Sequence, residues 1–443
     1  MHENCVSREE FDRVVAELKK ENEELKSKIA RYENAHTPPS LRINRYPKPE
    51  RSGKPLGKPK GSPGGTKILG QPDEVIDVTK EHCKRCGTKL GDPVGYDVKR
   101  VLELPKPQKA KIIEYRKAEY GKCLCCGVVN VASHPNCPTK GDMSPTMLSM
   151  IQDLRITERL SIGLTQRFLK ERLGANISQS AIVSLTRRTA KFLKLRHFEL
   201  FQTIRSSPVV YVDETGFYVN GKRIWLWIFT NGKDVLVVIK NSRGSCVIKS
   251  ILGRTFRGVV VSDCFSAYHR YQNRFNIKFQ KCWAHILREA RLCAEQTEIG
   301  KSVYDEMKRI FDETKSFLSS NPTIEVRQEK YKQLIEWLDL FVSQSIGEKR
   351  VQNILKRLGR YRESWFTYVI INGVEPTNNI VERALRQQVI LRKLRGSFRS
   401  EESVHDHETL SSLFATWNNH GFDPTEQLEK ELCRIFEQGI GAK

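Results

Sequence analysis

Two aspartates follow apolar segments in an arrangement that predicts a divalent metal site. Asp213 closes the apolar segment 208–213, and Asp263 follows the apolar segment 257–262. If these segments are neighbouring central strands of one sheet, both carboxylates emerge side by side at the same edge. Two anions about 4 Å apart repel by about 4 kcal/mol at an effective dielectric constant of about 20, so the pair requires cations. Oxygen ligands favour Mg²⁺, with Mn²⁺ as a substitute.

Two glutamates compete for a place in this site. Glu214 adjoins Asp213, but neighbours along a strand point to opposite faces, so only one of the two can join Asp263, and we assign Asp213. Glu382 lies near the start of a predicted helix and is placed to supply a third carboxylate. From spacing alone, an ion pair between Glu382 and Arg386 on a surface helix is an equal alternative.

Two Cys-x-x-Cys-Gly knuckles predict a structural zinc site. Each knuckle places two thiolates on one tight turn, and the following glycine lets the turn close. Four thiolates bind Zn²⁺ tetrahedrally at about 2.3 Å, and a small fold depends on such a centre for its stability. The predicted zinc ligands are Cys83, Cys86, Cys123 and Cys126, with Cys125, His82, His134 and Cys137 as less favoured donors. Segments 98–104 and 111–120 between the knuckles alternate well enough for the strands of a zinc ribbon.

The charge balance indicates a polyanionic partner. Lysine and arginine number 75 against 52 acidic residues, giving a formal net charge of +23. Nucleic acid is the first expectation for such a charge. The sequence has no apolar run near the roughly 20 residues that cross a bilayer, and residues 1–12 lack the apolar stretch of a secretory signal. We therefore expect a soluble cytoplasmic protein, associated with the nucleoid and without a membrane partner.

The pattern of elements around the aspartates predicts a mixed α/β core. Three strands should pair antiparallel, with Asn231-Gly232 as a hairpin turn, and a helix and a fourth strand follow. The predicted segments are 208–213, 223–230, 234–240, the helix 245–252, and 257–262. This order opens a ribonuclease-H-like fold. Helical spacing of apolar residues after it predicts an all-α insertion at about 292–361.

Helices precede and follow this core. Residues 147–195 have helical periodicity, broken at Gly174 and resumed after Ser178 as the predicted N-cap, and two helices around a glycine resemble a helix-turn-helix. A helical hairpin without a DNA-reading role is an equal alternative. The helix of Glu382 begins at Thr377 or Asn378, either of which can cap it. The basic side chains expected to contact DNA are Arg187, Arg188, Arg383, Arg386, Arg392, Lys393 and Arg395.

A heptad pattern near the start of the chain predicts a coiled coil. Phe11, Leu18, Leu25 and Tyr32 repeat every seventh residue, and Asn22 occupies the other seam position. A buried Asn at that position is satisfied by its twin across a parallel dimer, which favours a homodimer or higher oligomer over a lone amphipathic helix.

Four strings of residues are similar to the transposases of the insertion-sequence 66 family. The strings are Val212-Asp213-Glu214-Thr215, Ser262-Asp263-Cys264-Phe265-Ser266-Ala267-Tyr268, Cys282-Trp283-Ala284-His285, and Asn378-Asn379-Ile380-Val381-Glu382-Arg383-Ala384-Leu385-Arg386 followed by Arg392-Lys393. The resemblance spans nearly the whole chain and includes the paired knuckles. Cys264 stands where the family usually has glycine, and Leu394 stands where asparagine is usual.

This resemblance implies a DDE transposase. Asp213, Asp263 and Glu382 would hold two Mg²⁺ ions that activate water to cut at the transposon end, and then activate the freed 3′-hydroxyl to attack target DNA. Terminal inverted repeats and target DNA would be the partners, with accessory proteins encoded by the same element. His285 belongs to the family pattern, but a lone histidine on an apolar segment is more often a hydrogen-bonded core residue. A catalytically idle DNA-binding protein and a ribonuclease-H-like nuclease are the competing functions.

The expected organisation is a multidomain α/β protein. Its parts are a coiled coil at 1–35, a basic Pro/Gly-rich linker at 36–71, a zinc-binding domain at 72–140, a helix-turn-helix-like region at 141–200, a ribonuclease-H-like DDE catalytic domain at 201–400, and a C-terminal helical segment at 401–443.

Overall fold

The computed structural model describes residues 13–22, 71–82, 84–96, 98–99, 109–122, 124–127, 129–344 and 346–438. The chain divides into two compact units, Met1–Gln108 and Lys109–Lys443. Residues 13–22 form a helix, α1. Most heptad positions and residues 36–70 of the linker lie outside the described residues, so the coiled coil and the linker stay predictions.

The two cysteine knuckles have the same local turn. Gly87 in the first unit and Gly127 in the second each have a φ of 72°, a conformation that glycine adopts without strain. In the second unit the knuckle lies between strands β1 (Glu119–Lys122) and β2 (Val129–Val131), which pair antiparallel. The predicted strand 111–120 was therefore wrong over most of its length. Only its last two residues belong to β1, because the partner strand β2 is short and follows the knuckle. Cys83 and Cys123 lie outside the described residues, and the zinc site stays a prediction.

A five-stranded sheet and a large set of helices make up the rest of the second unit. Its strands are β3 (Val209–Val219), β4 (Lys222–Thr230), β5 (Val235–Lys240), β6 (Val259–Ser262) and β7 (Lys278–Lys281). Its helices are α2 (Pro145–Ile156), α3 (Ile162–Leu173), α4 (Gln179–Phe192), α5 (Lys194–Ser206), α6 (Ser245–Leu252), α7 (Ser266–Phe275), α8 (Trp283–Ala294), α9 (Glu298–Ser319), α10 (Ile324–Val342), α11 (Lys349–Arg360), α12 (Thr367–Ile370), α13 (Asn379–Arg395), α14 (Glu401–Asn419) and α15 (Pro424–Glu437). No helix in the described part of the chain is long and apolar enough to cross a bilayer.

The strand order of the sheet is β5-β4-β3-β6-β7. The first three strands pair antiparallel, as predicted, and β6 runs parallel to β3 and to β7. The helix predicted at 245–252 is α6 with the same bounds. One boundary was wrong: β3 does not end at Asp213 but continues to Val219, because it keeps pairing with β4 as far as the tight turn at Asn220-Gly221.

The sheet separates two apolar layers. Odd-numbered residues of β3, such as Val209 and Tyr211, pack with α8–α11 and α13, whereas even-numbered residues, such as Val210, pack with α6 and α7. This alternation is the ordinary period of a strand. The predicted all-α insertion is helical, and α9, α10 and α11 lie over the first of the two layers.

A third apolar cluster joins two segments that are far apart in sequence. Leu148 and Ile151 of α2 share it with Leu410 of α14 and with Leu428 and Phe436 of α15, all of them buried. Within the preceding helices, Gly174 ends α3 with φ 68°, and the Ser178 hydroxyl accepts the N–H of Ala181 (3.2 Å) at the start of α4, as predicted. The helix-turn-helix-like region 141–200 thus forms one core with the C-terminal helices.

Helix α14 satisfies the open edge of the sheet with its side chains. Strand β5 is the last strand on this side, so every second N–H points away from the sheet. The N–H of Val235 donates to Thr416 Oγ1 (3.0 Å), that of Val237 to Ser412 Oγ (2.8 Å), and that of Ile239 to the Glu408 carboxylate. Four helical residues advance about 6 Å and two strand residues about 6.8 Å, so the two spacings match.

This ladder predicts which hydroxyl groups of α14 stabilise the sheet. Ser412→Ala should leave the buried N–H of Val237 without its acceptor, at a cost of about 1–3 kcal/mol. Amide hydrogen exchange at Val237 should become faster accordingly. Thr409→Val, on the same helix but outside the ladder, is the control, and equal effects of the two substitutions would contradict the assignment.

Candidate active site

The register of two parallel strands places the predicted aspartates opposite each other. The pairing of β3 with β6 runs to Tyr211 opposite Val261. Asp213 and Asp263 each lie two residues beyond this pair, at the same edge of the sheet, and Asp213 faces the layer that contains α8 and α13. Each is only 6 % exposed. The prediction that the two carboxylates emerge at one edge of the sheet is therefore matched by the geometry.

The charges of three acids converge on Asp213. Burial raises the pKa of Asp213 well above its usual range, and the negative charges of Glu214, Asp263 and Glu382 raise it further. The N–H of Glu214 opposes this rise by donating to Asp213 Oδ1 (2.9 Å). Asp263 Oδ1 accepts the N–H of Phe265 (2.9 Å). Asp263 and Glu382 thus lie close enough to Asp213 for their charges to raise its pKa.

Glu214 lies on the other side of β3 and is bonded there. Its Oε1 accepts from Arg243 Nε (2.9 Å), and its Oε2 accepts from the hydroxyl of Tyr268. The Arg243 guanidinium also covers the ring of Phe265 at 3.9 Å. Burial and Asp263 raise the pKa of Glu214, while Tyr268 and Arg243 oppose the shift. Glu214 is therefore held in the second layer, and Asp213 alone of the two faces α13, as strand alternation predicts.

Asn378 ties the helix of Glu382 to the sheet. Its side-chain Nδ2 donates to the carbonyl of Val212 (3.0 Å), its own N–H donates to Cys282 Sγ (3.1 Å), and its carbonyl accepts the N–H of Glu382 (3.1 Å). Asn378 is completely buried. The expected side-chain cap of α13 was wrong: Asn378 occupies the N-cap position, but its amide bonds the residue before Asp213 instead of the first turn.

His285, Cys282 and Glu382 form a small cluster above the sheet. One ligand atom from each lies within 4.8 Å of the other two, and His285 Nδ1 is 3.6 Å from Glu382 Oε1. In the described part of the chain, no salt bridge joins Glu382 to Arg386, which was the alternative for Glu382. Burial raises the pKa of Cys282 to about 12, and its sulfur accepts the N–H of Asn378.

A buried lysine that sequence reasoning missed lies beside Asp263. Lys281 ends β7, is completely buried, and its Nζ donates to the Asp263 carbonyl (3.1 Å) and to Ser262 Oγ (3.2 Å). Burial lowers the pKa of Lys281 to about 8, against the opposing effects of Cys264 and Asp263. The available signal was its position at the end of an apolar segment, directly before the string Cys282-Trp283-Ala284-His285.

The basic residues expected to contact DNA fall into two groups. Arg383, Arg386 and Lys393 are exposed on α13. The others have partners within the chain: Arg392 donates to Gly216 and Thr215, Arg395 to the Arg159 carbonyl, Arg188 to the Lys140 carbonyl, and Arg187 lies near Asp406 and Glu402. Burial, followed by Arg155 and Arg159, lowers the pKa of Arg395 to about 9. DNA contact by any of these residues stays a prediction.

A protein-family model described as Transposase IS66 family matches residues 140–406, more than half of the chain. The chain belongs to this family. The uncharacterized protein y4qI of Sinorhizobium fredii (strain NBRC 101917 / NGR234) is 24% identical to it over 416 residues, which cover 87% of this chain and 76% of that protein. The part of this IS66-family chain that the family model matches contains the five-stranded sheet, all three acids and His285.

The crowding of carboxylates predicts how Asp213 affects stability. Folding raises the pKa of Asp213. This residue therefore does not change the free energy of unfolding below its ordinary pKa of about 4, lowers that free energy progressively as the pH rises, and lowers it by the full amount above the folded pKa. Asp213→Asn should therefore stabilise the metal-free protein, by on the order of 1 kcal/mol at pH 8 and less at pH 5. Thermal melts in EDTA measure this difference.

Asp305→Asn, at an exposed position of α9, provides the matched control and should change little at either pH. A stabilisation by Asp213→Asn that shrank as the pH rose would refute the sign of the shift.

Proposed function

We propose that this chain is the transposase of a prokaryotic insertion sequence, which binds terminal inverted repeats and catalyses metal-dependent cleavage and strand transfer of DNA. Asp213, Asp263 and Glu382 are the proposed acid triad. The observation that carries this proposal is the shared register of Asp213 and Asp263 across β3 and β6, with Glu382 tied to the same place through Asn378. Membership of the IS66 transposase family supports it.

We also propose that the catalytic domain is ribonuclease-H-like. Three antiparallel strands followed by two parallel ones, in the order β5-β4-β3-β6-β7, support this assignment. In such a sheet, the two central parallel strands deliver their acids to the same edge, which is the requirement of the proposed chemistry.

The donor set fits hard divalent cations. Asp213 and Asp263 offer carboxylate oxygens at one edge, where burial and the charges of Glu214, Asp263 and Glu382 raise the pKa of Asp213. When bound, two Mg²⁺ or Mn²⁺ ions would stabilise the attacking and leaving oxygens of an in-line phosphoryl displacement. The softer cluster of Cys282, His285 and Glu382 shares one acid with this set.

The chain's own residues would position this chemistry. Lys281 holds the backbone of Asp263 through its bond to the Asp263 carbonyl. Asn378 holds the start of α13 through its bond to the Val212 carbonyl. His285 lies against Glu382 and limits where its carboxylate can point. Asp213 gives up any proton that it holds when a cation replaces that proton as its partner, so cation binding and deprotonation are linked.

The remaining parts of the proposal concern binding and assembly. We assign DNA contact foremost to Arg383, Arg386 and Lys393, because their side chains are exposed. The four knuckle cysteines would hold a structural Zn²⁺ ion, and the N-terminal heptads would pair two chains. Accessory proteins of the same element would be further partners, and the protein would act in the cytoplasm at the nucleoid.

The triad is tested by Asp263→Asn. Loss of a residue that only supports a metal ligand costs about 10- to 100-fold, so loss of a ligand should lower the rate of Mg²⁺-dependent cleavage at least about 100-fold. The assay uses the full chain and a duplex that carries the terminal repeats, and it separates nicked, hydrolysed and strand-transfer products. Binding of the same duplex in EDTA should be unchanged.

Asp305→Asn serves as the control for this assay and should cleave at the wild-type rate. Wild-type cleavage by Asp263→Asn would refute the triad. Cleavage without strand-transfer products would identify a nuclease instead, and an absence of metal-dependent nicking by the wild-type chain would identify an idle DNA-binding protein.

Asn378 is predicted to be a positioning residue for Glu382. Asn378→Ala removes the bond to Val212, so the Mg²⁺ concentration for half-maximal cleavage should rise about tenfold while DNA binding in EDTA is unchanged. Asn379→Ala, at the exposed neighbouring position, should leave the metal requirement as in the wild type. A loss of melting temperature without any change in the metal requirement would reduce Asn378 to a purely structural role.

A further inference from the structure

Helix α11 differs in charge from the helices packed around it. Its twelve residues carry five basic side chains and no acidic one. In α9 and α10, acidic side chains outnumber basic ones by five to four and by four to three. Among the helices of the insertion at about 292–361, α11 therefore has the composition suited to a polyanion.

Three of the five basic side chains of α11 point directly away from the core. Lys349, Asn353, Lys356 and Arg360 are exposed and, at 100° per residue, fall within an arc of about 60°. We call these four residues the α11 stripe. The buried residues Val351, Ile354, Leu355 and Leu358 lie on the opposite side of the helix. The stripe therefore faces outward along its full length of about 16 Å, close to half a turn of duplex DNA.

Several cations elsewhere in the insertion pair with nearby acids. In α9, Lys308 pairs with Asp312 (2.5 Å) and Arg309 with Glu306 (2.7 Å). On α11 itself, the flanking Arg357 pairs with Glu289. By contrast, no salt bridge joins a cation of the α11 stripe to an acid within the described ranges of the second unit. The stripe thus keeps its positive charge available for a partner.

The stripe leads to the candidate active site. Tyr361 follows Arg360 at the end of α11, and its hydroxyl donates to the carbonyl of Cys264 (3.2 Å), the residue after Asp263. Lys281 Nζ lies 5.0 Å from the centre of the Tyr361 ring. The charge of Arg360 also contributes, after burial and Lys281, to the lowered pKa of His269 on α7. One end of the stripe is thus joined to the backbone beside an acid of the triad.

We propose that the α11 stripe binds the phosphate backbone of duplex DNA whose scissile phosphate lies at Asp213 and Asp263. This assignment rests on the proposed function. It adds a surface that binds the part of the duplex next to the scissile phosphate. The three cations of the stripe attract the phosphates of DNA. A second copy of the chain placed symmetrically on this face would instead bring the cations of two stripes together, and like charges repel.

The salt dependence of DNA binding tests the stripe. The variant Lys349→Gln, Lys356→Gln, Arg360→Gln should lower the magnitude of the slope of log affinity against log salt by about 2 to 3, since each phosphate contact contributes about 0.9. The control variant Lys301→Gln, Lys315→Gln, Lys332→Gln removes the same charge from exposed positions of α9 and α10 and should leave the slope unchanged. Both variants are measured as the full chain on one duplex, without divalent metal.

A photo-crosslinker in place of Asn353 should join the chain to DNA. The same group in place of Val326, which is 49% exposed on α10, should not. Equal slopes for the two triple variants, or a changed oligomeric state with an unchanged slope, would overturn the stripe and leave the triad intact. Failure of the wild-type chain to bind any duplex would overturn the stripe and the proposed function together.

Discussion

Two buried carboxylates face each other across the end of one parallel strand pair, and the surrounding structure resists their separation. Asp213 cannot move away, because β3 continues past it and pairs with β4, with Asp213 opposite Ile228. Asp263 is held by its bond from the Phe265 N–H and by Lys281 on its carbonyl. After burial and the charge of Glu214, the charge of Asp263 therefore raises the pKa of Asp213, and a proton or a bound cation would relieve this repulsion.

Polar groups of the backbone connect the helices to this edge. Cys282 marks the start of α8, and its sulfur accepts the N–H of Asn378 at the start of α13. The Trp283 N–H donates to the Pro376 carbonyl (3.0 Å), so the two helix starts are joined twice. Helices that carry His285 and Glu382 thus begin at one point next to Val212, although almost a hundred residues separate them in sequence. The same hydrogen bonds thus satisfy buried backbone groups and position the helices that carry these two side chains.

Local patterns predicted the parts of the fold that depend on local physics. Continuous apolar runs located β4 and β5, the Asn231-Gly232 turn was found by its chemistry, and the helix-like stretch 245–252 matched α6 at both ends. Alternation also distinguished Asp213 from Glu214, because the two faces of β3 are distinct environments. The family resemblance supplied what spacing alone left open, namely the assignment of Glu382 to the proposed triad.

Features that depend on distant partners could not be predicted in this way. In the sequence, Lys281 looks like an ordinary charged residue. Its burial follows from the pairing of β7 with β6, which the sequence around it does not indicate. Asn378 looked like a helix cap because its alternative partner, the Val212 carbonyl, lies 166 residues away. The length of β3 was missed for the same reason, since its continuation beyond Asp213 follows from pairing with β4 rather than from its own composition.

The hydrogen bonds between α14 and β5 join residues that are far apart along the chain. The acceptors on α14 follow the N–H groups that they satisfy by 169 to 181 residues. While the ribosome is still adding those residues, the nascent sheet has an uncovered border to which another chain can attach. A chain that ended before Glu408 would therefore leave these N–H groups of β5 without their side-chain acceptors and open to pairing with another chain.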